Sequence, residues 1–227
     1  MPAQNNDYDK KHQRNIATIS ARIDRIFNKA AEEAALIGAT IKDDLGDRIF
    51  SFDDYPQTKK QIDALAEELH TSLEMTIVNG IDSAWALSNG KNDDLVRRVF
   101  GRKADDLSEA QRRRYFNNNA QALEAFLARK TQGLGLSDRV WRYTEAFKNE
   151  IEMGLDLGIR SGKSAAAMTR DLRQYLQHPD KLFRRVRDEH GLLKLSQAAK
   201  EFHPGRGVYR SSYMNARRLA ATETNIA

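Results

Sequence analysis

Gly158-Ile-Arg-Ser-Gly162-Lys163-Ser164 is the stretch of this chain that comes nearest to a chemical motif. Glycines ahead of a lysine and a hydroxyl are the ingredients of a loop that cradles phosphates. The spacing is wrong: that loop needs four residues between its glycines, and this stretch has three. The residues before it read as an amphipathic helix, not as the buried strand such a loop follows. The expected structure is therefore a tight helix–helix turn, with Ser164 as the N-cap of the second helix. Gly154, Gly158 and Gly162 are spaced by four. Either they admit a close neighbour or they mark a fraying helix end, and fraying is the expectation here.

The remaining chemistry-bearing residues are scattered. His12, His70, His178, His190 and His203 form no HExxH or HxxxH pair. Asp188-Glu189-His190 reads as a solvated loop, since an isolated set of this kind is a weak ligand signal. Glu145, Glu150, Glu152 and Asp156 lie among many cations and read as solvated helix faces. No nucleophile elbow or Ser-His-Asp order is present. The chain has no cysteine, which excludes disulfides and thiolate metal sites. No catalytic residue, metal ligand or cofactor site is expected, and the chain is read as a non-enzyme.

Two features near the C-terminus are more pointed. From His178 onward there are ten cations against five anions, which carries the whole net charge of +5. Lys181, Arg184, Arg185 and Arg187 cluster beside Phe183, and Arg210 and Arg217 lie two turns apart on one helix face. Two readings stand: weak, sequence-independent contact with nucleic-acid phosphates or an acidic surface, or an ordinary solvated face. Arg112-Arg-Arg114, flanked by acids, reads as structural. Glu223 falls on the apolar side of the last helix, four residues from Leu219 and three from Ile226. It is either held by a buried arginine or helix N-terminus, or it is free in a frayed last turn.

The elements that position these residues are helical. Residues 1–8 read as disordered. Ile16, Ile19, Ile23, Ile26, Ala30 and Ala34 recur at three and four, which predicts a helix over 9–36 ended by Gly38. Residues 39–55 are a connector with an apolar knot at Ile49, Phe50 and Phe52. Pro56 starts a second long helix with the stripe Ile62, Leu65, Leu69, Leu73, Ile77, Ile81 and Trp85, stopped by Asn89-Gly90. Each helix has one apolar stripe to bury, and an antiparallel hairpin of the two is the simplest solution. A short helix follows over 93–100. Ser108-Glu-Ala-Gln111 is a capping box opening a helix to about residue 130.

After Gly133-Leu-Gly135, Ser137 is expected to cap a helix with the stripe Val140, Thr144, Phe147, Ile151 and Leu155. The helix after Ser164 carries Met168, Leu172 and Leu176 and stops at His178-Pro179. No period-2 strand is convincing, and Leu192-Leu-Lys-Leu195 is a weak candidate. The fold class is all-α: a long antiparallel helical hairpin packed on a bundle of shorter helices. No apolar run approaches the roughly 20 residues that span a bilayer, and no membrane partner is expected.

Three elements in order carry a resemblance: Leu136-Ser-Asp-Arg-Val-Trp141, then Gly158-Ile-Arg-Ser-Gly162-Lys-Ser164 before an alanine-rich helix, then Arg217-Arg218-Leu-Ala-Ala-Thr222-Glu223. Together they resemble the Mu F-like phage minor head (head-morphogenesis) family over residues 136–227. Trp141, Gly158, Gly162, Ser164, Arg217, Arg218, Thr222 and Glu223 are the positions that carry it. The family's last element reads Ala-Arg-Thr-Glu, and Ala221 stands here where the arginine would be, so that arginine's role does not transfer.

The resemblance implies a structural, non-catalytic protein of a phage or prophage head. It would act in head morphogenesis at the portal vertex, in the virion and, during assembly, in the host cytoplasm. Its implied partners are the phage portal protein and other head proteins, with DNA as a weak, non-specific contact. Family members continue beyond the Thr-Glu element, so the chain is expected to be the N-terminal portion of a longer protein. The alternative is a helical nucleic-acid-binding protein involved in DNA packaging or processing.

Overall fold

The computed structural model describes residues 5–42, 45, 48, 50–179, 185–187, 189–190, 193–195 and 211–227. The fold is all-α. Among the described residues its α-helices are α1 (Asn5–Gly38), α2 (Pro56–Phe100), α3 (Glu109–Tyr115), α4 (Ala120–Ala128), α5 (Leu136–Arg160), α6 (Ala165–Gln177) and α7 (Ser212–Ile226). One small addition is an antiparallel pair of strands, β1 (Arg185–Arg187) and β2 (Leu193–Leu195), in which Val186 faces Lys194. The weak strand signal at Leu192–Leu195 thus marks a real, three-residue strand.

The chain divides into two compact units. The first comprises Met1–Arg22, Met75–Leu136 and Leu219–Ala227. Here α1 and α2 run antiparallel: Tyr8 Oη lies 3.1 Å from the Gly90 carbonyl, and Asn15 Nδ2 donates to the Gly80 carbonyl at 3.3 Å. Ile19, Ile77, Ile81, Ala84, Leu219 and Ala220 are among its buried apolar residues. Gly80 is needed for this packing. A Cβ there would stand 2.5 Å from Ile19 Cδ1 and 3.0 Å from Thr224 Oγ1. Any side chain would force α1 and α7 away from α2.

Three boundaries in this unit differ from expectation. α1 starts at Asn5, so residues 5–8 are helical rather than disordered. Tyr8 anchors the start, with its hydroxyl 2.5 Å from Asp94 Oδ2. α2 does not stop at Asn89-Gly90 but runs 45 residues to Phe100, absorbing the expected short helix. The polar residues that read as a stop are occupied as donors. Asn89 Nδ2 donates to the Asn118 carbonyl at 2.9 Å and Asn92 Nδ2 to the Tyr115 carbonyl at 3.0 Å.

The helix opened by the Ser108–Gln111 capping box ends at Tyr115 instead of running to about residue 130. The asparagine run breaks it. Asn119 adopts a left-handed φ of 50°, and the Asn118 side chain accepts from Ala120 N to begin α4. Asparagine offers the backbone a local alternative to helix, and it tolerates that conformation.

The second unit comprises Ile23–Glu74 and Ser137–Arg218. Its core is built on Phe27, whose ring meets Phe147 and Tyr213 edge-on, each at 5.6 Å between centroids. Such edge-to-face pairs add to the burial of the rings. Around them lie Ile62, Leu65, Leu69 and Leu73 of α2, and Ile151 and Leu155 of α5. The whole α5 stripe, Val140, Thr144, Phe147, Ile151 and Leu155, is buried. Ile49 lies outside the described residues, but Phe50 and Phe52 are buried, with Phe50 stacked on Tyr55 at 5.2 Å. α5 starts at Leu136, so Ser137 sits inside its first turn and does not cap it.

Candidate functional site

The glycine-rich stretch is a helix terminator. Gly162 takes a left-handed φ of 59°, its N–H donates to the Ile159 carbonyl at 3.0 Å, and Lys163 N donates to the Gly158 carbonyl at 2.9 Å. This pair of bonds closes α5 as a Schellman turn. Ser164 Oγ then accepts from Ala167 N and caps α6. The Gly162, Lys163 and Ala167 amides are thus taken up by the turn and the cap, and Lys163 Nζ is 2.6 Å from Asp171 Oδ2. Gly154 and Gly158 correct the fraying expectation. A Cβ at Gly154 would lie 2.3 Å from Leu172 Cδ2, and one at Gly158 2.5 Å from Met168 Sδ. Both glycines let α6 lie against α5.

Glu150, Glu152 and Asp156 of α5 are likewise not solvated faces, whereas Glu145 keeps a 44% exposed side chain beside Lys148. Glu150 is 2% exposed and Asp156 is 3% exposed. Glu150 Oε1 accepts from Ser212 N at 2.9 Å, and Oε2 accepts from the Ser212 hydroxyl. An anion at a helix N-terminus satisfies open N–H groups and the helix dipole together. Glu152 Oε1 accepts from Phe52 N at 2.6 Å, and Asp156 Oδ1 from Phe50 N at 2.9 Å. Asp156 also pairs with Arg160 at 2.9 Å. Three carboxylates of one helix thus fix the connector and the start of α7. Sequence periodicity gave no signal for this, because each acceptor's partner lies 62 to 106 residues away.

α7 carries the last resemblance element. In the second unit, Tyr213 donates its hydroxyl proton to Asp24 Oδ1 at 2.7 Å, and Arg217 Nη1 donates to Tyr213 Oη at 3.0 Å. Burial pushes the Tyr213 phenol above its ordinary value, and the Asp24 hydrogen bond adds to this, while the Arg217 charge pulls the other way. Arg217 Nε is also 3.6 Å from Asp24 Oδ1. Arg217, expected as a polyanion contact, is thus engaged with an acid and a phenol. Arg218 and Thr222 are exposed.

In the first unit Glu223 is 3% exposed, and its Oε2 lies 2.6 Å from Arg129 Nη2. The frayed alternative for Glu223 falls away. Arg129 itself sits over the Phe126 ring at 3.5 Å and donates to the Phe126 carbonyl at 3.0 Å. Nothing in the sequence singled out Arg129.

Lys181, Arg184 and Arg210 lie outside the described residues. Arg185 and Arg187 are described only as backbone of β1.

Trp141 is 41% exposed and meets the His70 ring edge-on at 5.3 Å. Beside it, Ser137 Oγ is 3.2 Å from His70 Nε2 and donates to Glu74 Oε2 at 3.0 Å. The residue types suggest nucleophilic catalysis, but the arrangement opposes it. His70 Nε2 is also 3.2 Å from the Ser137 carbonyl. The Ser137 hydroxyl has one proton and donates it to Glu74 Oε2, so it is not aimed at His70. Among the described residues no cluster of His, Asp and Glu is arranged to hold a metal ion. No described helix is long and apolar enough to cross a membrane.

No family model, curated protein or solved structure matches this chain.

Proposed function

We propose that this chain is a structural, non-catalytic head protein of a phage or prophage, of the Mu F-like minor head type. It acts in head morphogenesis at the portal vertex. The observation that carries the reading is the buried pairing of Glu223 with Arg129. The final motif element thereby ties the end of the chain to its own framework. Gly158, Gly162 and Ser164 are used in the same way, in a turn that closes one helix and caps the next. Motif residues that hold a framework together suit a protein whose task is to present surfaces to partners. Residues gathered around a cleft would suit a substrate instead. The partners under this reading are the portal protein and other head proteins.

Co-expression with the cognate phage portal protein tests the proposal. Co-elution on size exclusion, and presence of the chain in procapsids or virions by mass spectrometry, are the expected results. No portal association together with absence from both particles refutes it.

A further inference from the structure

Residues 97–116 contain Arg97, Arg98, Arg102, Lys103, Arg112, Arg113 and Arg114 against Asp105, Asp106 and Glu109. All seven cations are exposed. This excess is denser than that of the C-terminal region, and it falls entirely within the first unit. A groove of about 660 Å³ opens among these residues, lined by Asp93, Arg97, Asp105, Arg112, Arg113 and Phe116. We propose that this groove binds single-stranded nucleic acid, with Arg97, Arg112 and Arg113 contacting successive phosphates.

Arg112 is oriented without being neutralised, whereas Arg97 and Arg113 each face an exposed acid. Arg97 pairs with Asp94 at 3.6 Å across side chains 64% and 49% exposed, a weak surface pair. Arg112 donates to the backbone carbonyls of Asp105, at 2.6 Å, and Leu107, at 3.3 Å. Neutral acceptors fix its fork and leave its charge for an anion. Arg113 pairs with Glu109 at 3.0 Å, but those side chains are 76% and 81% exposed. So exposed a pair is weak and is exchanged readily for a phosphate. Arg97 lies 5.7 Å from the centroid of the Phe116 ring. A cationic groove with an aromatic ring in its wall is how single strands are held without sequence preference. The volume falls within the range of small-ligand clefts. The inference does not rest on the head-assembly reading, because it is argued from the residues of this groove alone.

Fluorescence anisotropy of the whole chain with a labelled mixed-sequence single-stranded DNA is the test. Binding should weaken with salt, with a slope of about −0.7 for each phosphate contact. The triple variant R97Q/R112Q/R113Q should bind at least about tenfold more weakly and show a shallower slope. R113Q alone, which loses only a surface pair, should shift both in the same direction while melting as the parent does. R184Q/R185Q/R187Q, which leaves Arg97, Arg112 and Arg113 unchanged, should stay within about twofold of the parent. The proposal fails if the parent does not bind, or if the triple variant and R113Q both bind as the parent does. It also fails if duplex DNA binds as tightly as the single strand, or if polyglutamate of equal charge competes as well.

Discussion

Glu223 Oε2 and Arg129 Nη2, 94 residues apart in the chain, meet at 2.6 Å inside the first unit. The pair is unequal: the Glu223 side chain is 4% exposed and that of Arg129 is 28% exposed. A carboxylate so buried needs a cation or donors, whereas a guanidinium that reaches water can be hydrated alone.

Removing each partner should therefore cost different amounts. Glu223→Ala leaves a partly hydrated Arg129 and should lose about 1–3 kcal/mol. Glu223→Gln should lose less, because it keeps the shape and an acceptor. Arg129→Ala takes the cation away from a buried carboxylate and should lose more than Glu223→Ala, up to about 3–5 kcal/mol. The double variant should lose less than the sum of the singles, since neither group is then left unpaired. Urea unfolding measures all four, and strictly additive losses would show that the pair is not coupled.

How much of this was legible in the sequence depends on the range of the interaction. The α5 stripe and the Ser108 and Ser164 caps follow from spacings of three and four along one helix, and they appear as read. Glu150, Glu152 and Asp156 were misread because solvated and buried carboxylates look alike until the partner is known. Their partners, Ser212, Phe52 and Phe50, are brought close only by the tertiary fold. Asn89-Gly90 was misread as a stop for the same reason, since its hydrogen-bond partner Asn118 lies in a later loop. The tail's charge was plain from composition, but composition did not show that Arg217 already faces Asp24.

The α5–α6 contact sets two opposing effects against each other at Gly154 and Gly158. Glycine to alanine in a helix interior gains about 1 kcal/mol of helix propensity. Overpacking a filled core costs about 1–3 kcal/mol. At Gly154 the new methyl meets a branched, buried Leu172, so Gly154→Ala should be clearly destabilising. At Gly158 it meets the thioether of Met168, which adapts more easily. Gly158→Ala should be milder, near neutral to about 1 kcal/mol destabilising. Thermal melts of the two variants rank them, and the reverse order would show that α6 does not rest on α5 as described.

Glu150 holds the first turn of α7. Glu150→Ala leaves Ser212 N–H and its hydroxyl without this acceptor in a buried place, and each such group costs about 1–3 kcal/mol. Glu150→Gln retains one acceptor and should recover part of the loss. Amide exchange localises the effect. Faster exchange at the start of α7 is expected, with the α4 amides unchanged, and a uniform increase over the whole chain would remove the local role assigned to Glu150.

Tyr213 gives the fold a dependence on alkaline pH. Its side chain is buried at 6% exposure and its hydroxyl donates to Asp24. Burial first, and then that hydrogen bond, hold its pKa above the ordinary tyrosine value. In the unfolded chain the phenol ionises near pH ~10. A group whose folded pKa is raised contributes stability that is fully present below the unfolded value. That contribution is lost as the pH rises through the folded value. Tyr213→Phe removes both the hydrogen bond and the titration. At pH 7 the variant, which also loses the bond Tyr213 accepts from Arg217, should be less stable than the parent by about 1–3 kcal/mol, the net worth of two hydrogen bonds. Above pH ~10 the difference should shrink, because only the parent loses stability through this phenol. Paired melts from neutral to alkaline pH decide the point. A gap that stays constant across the series would mean that the phenol's ionisation is the same in the folded and unfolded chains.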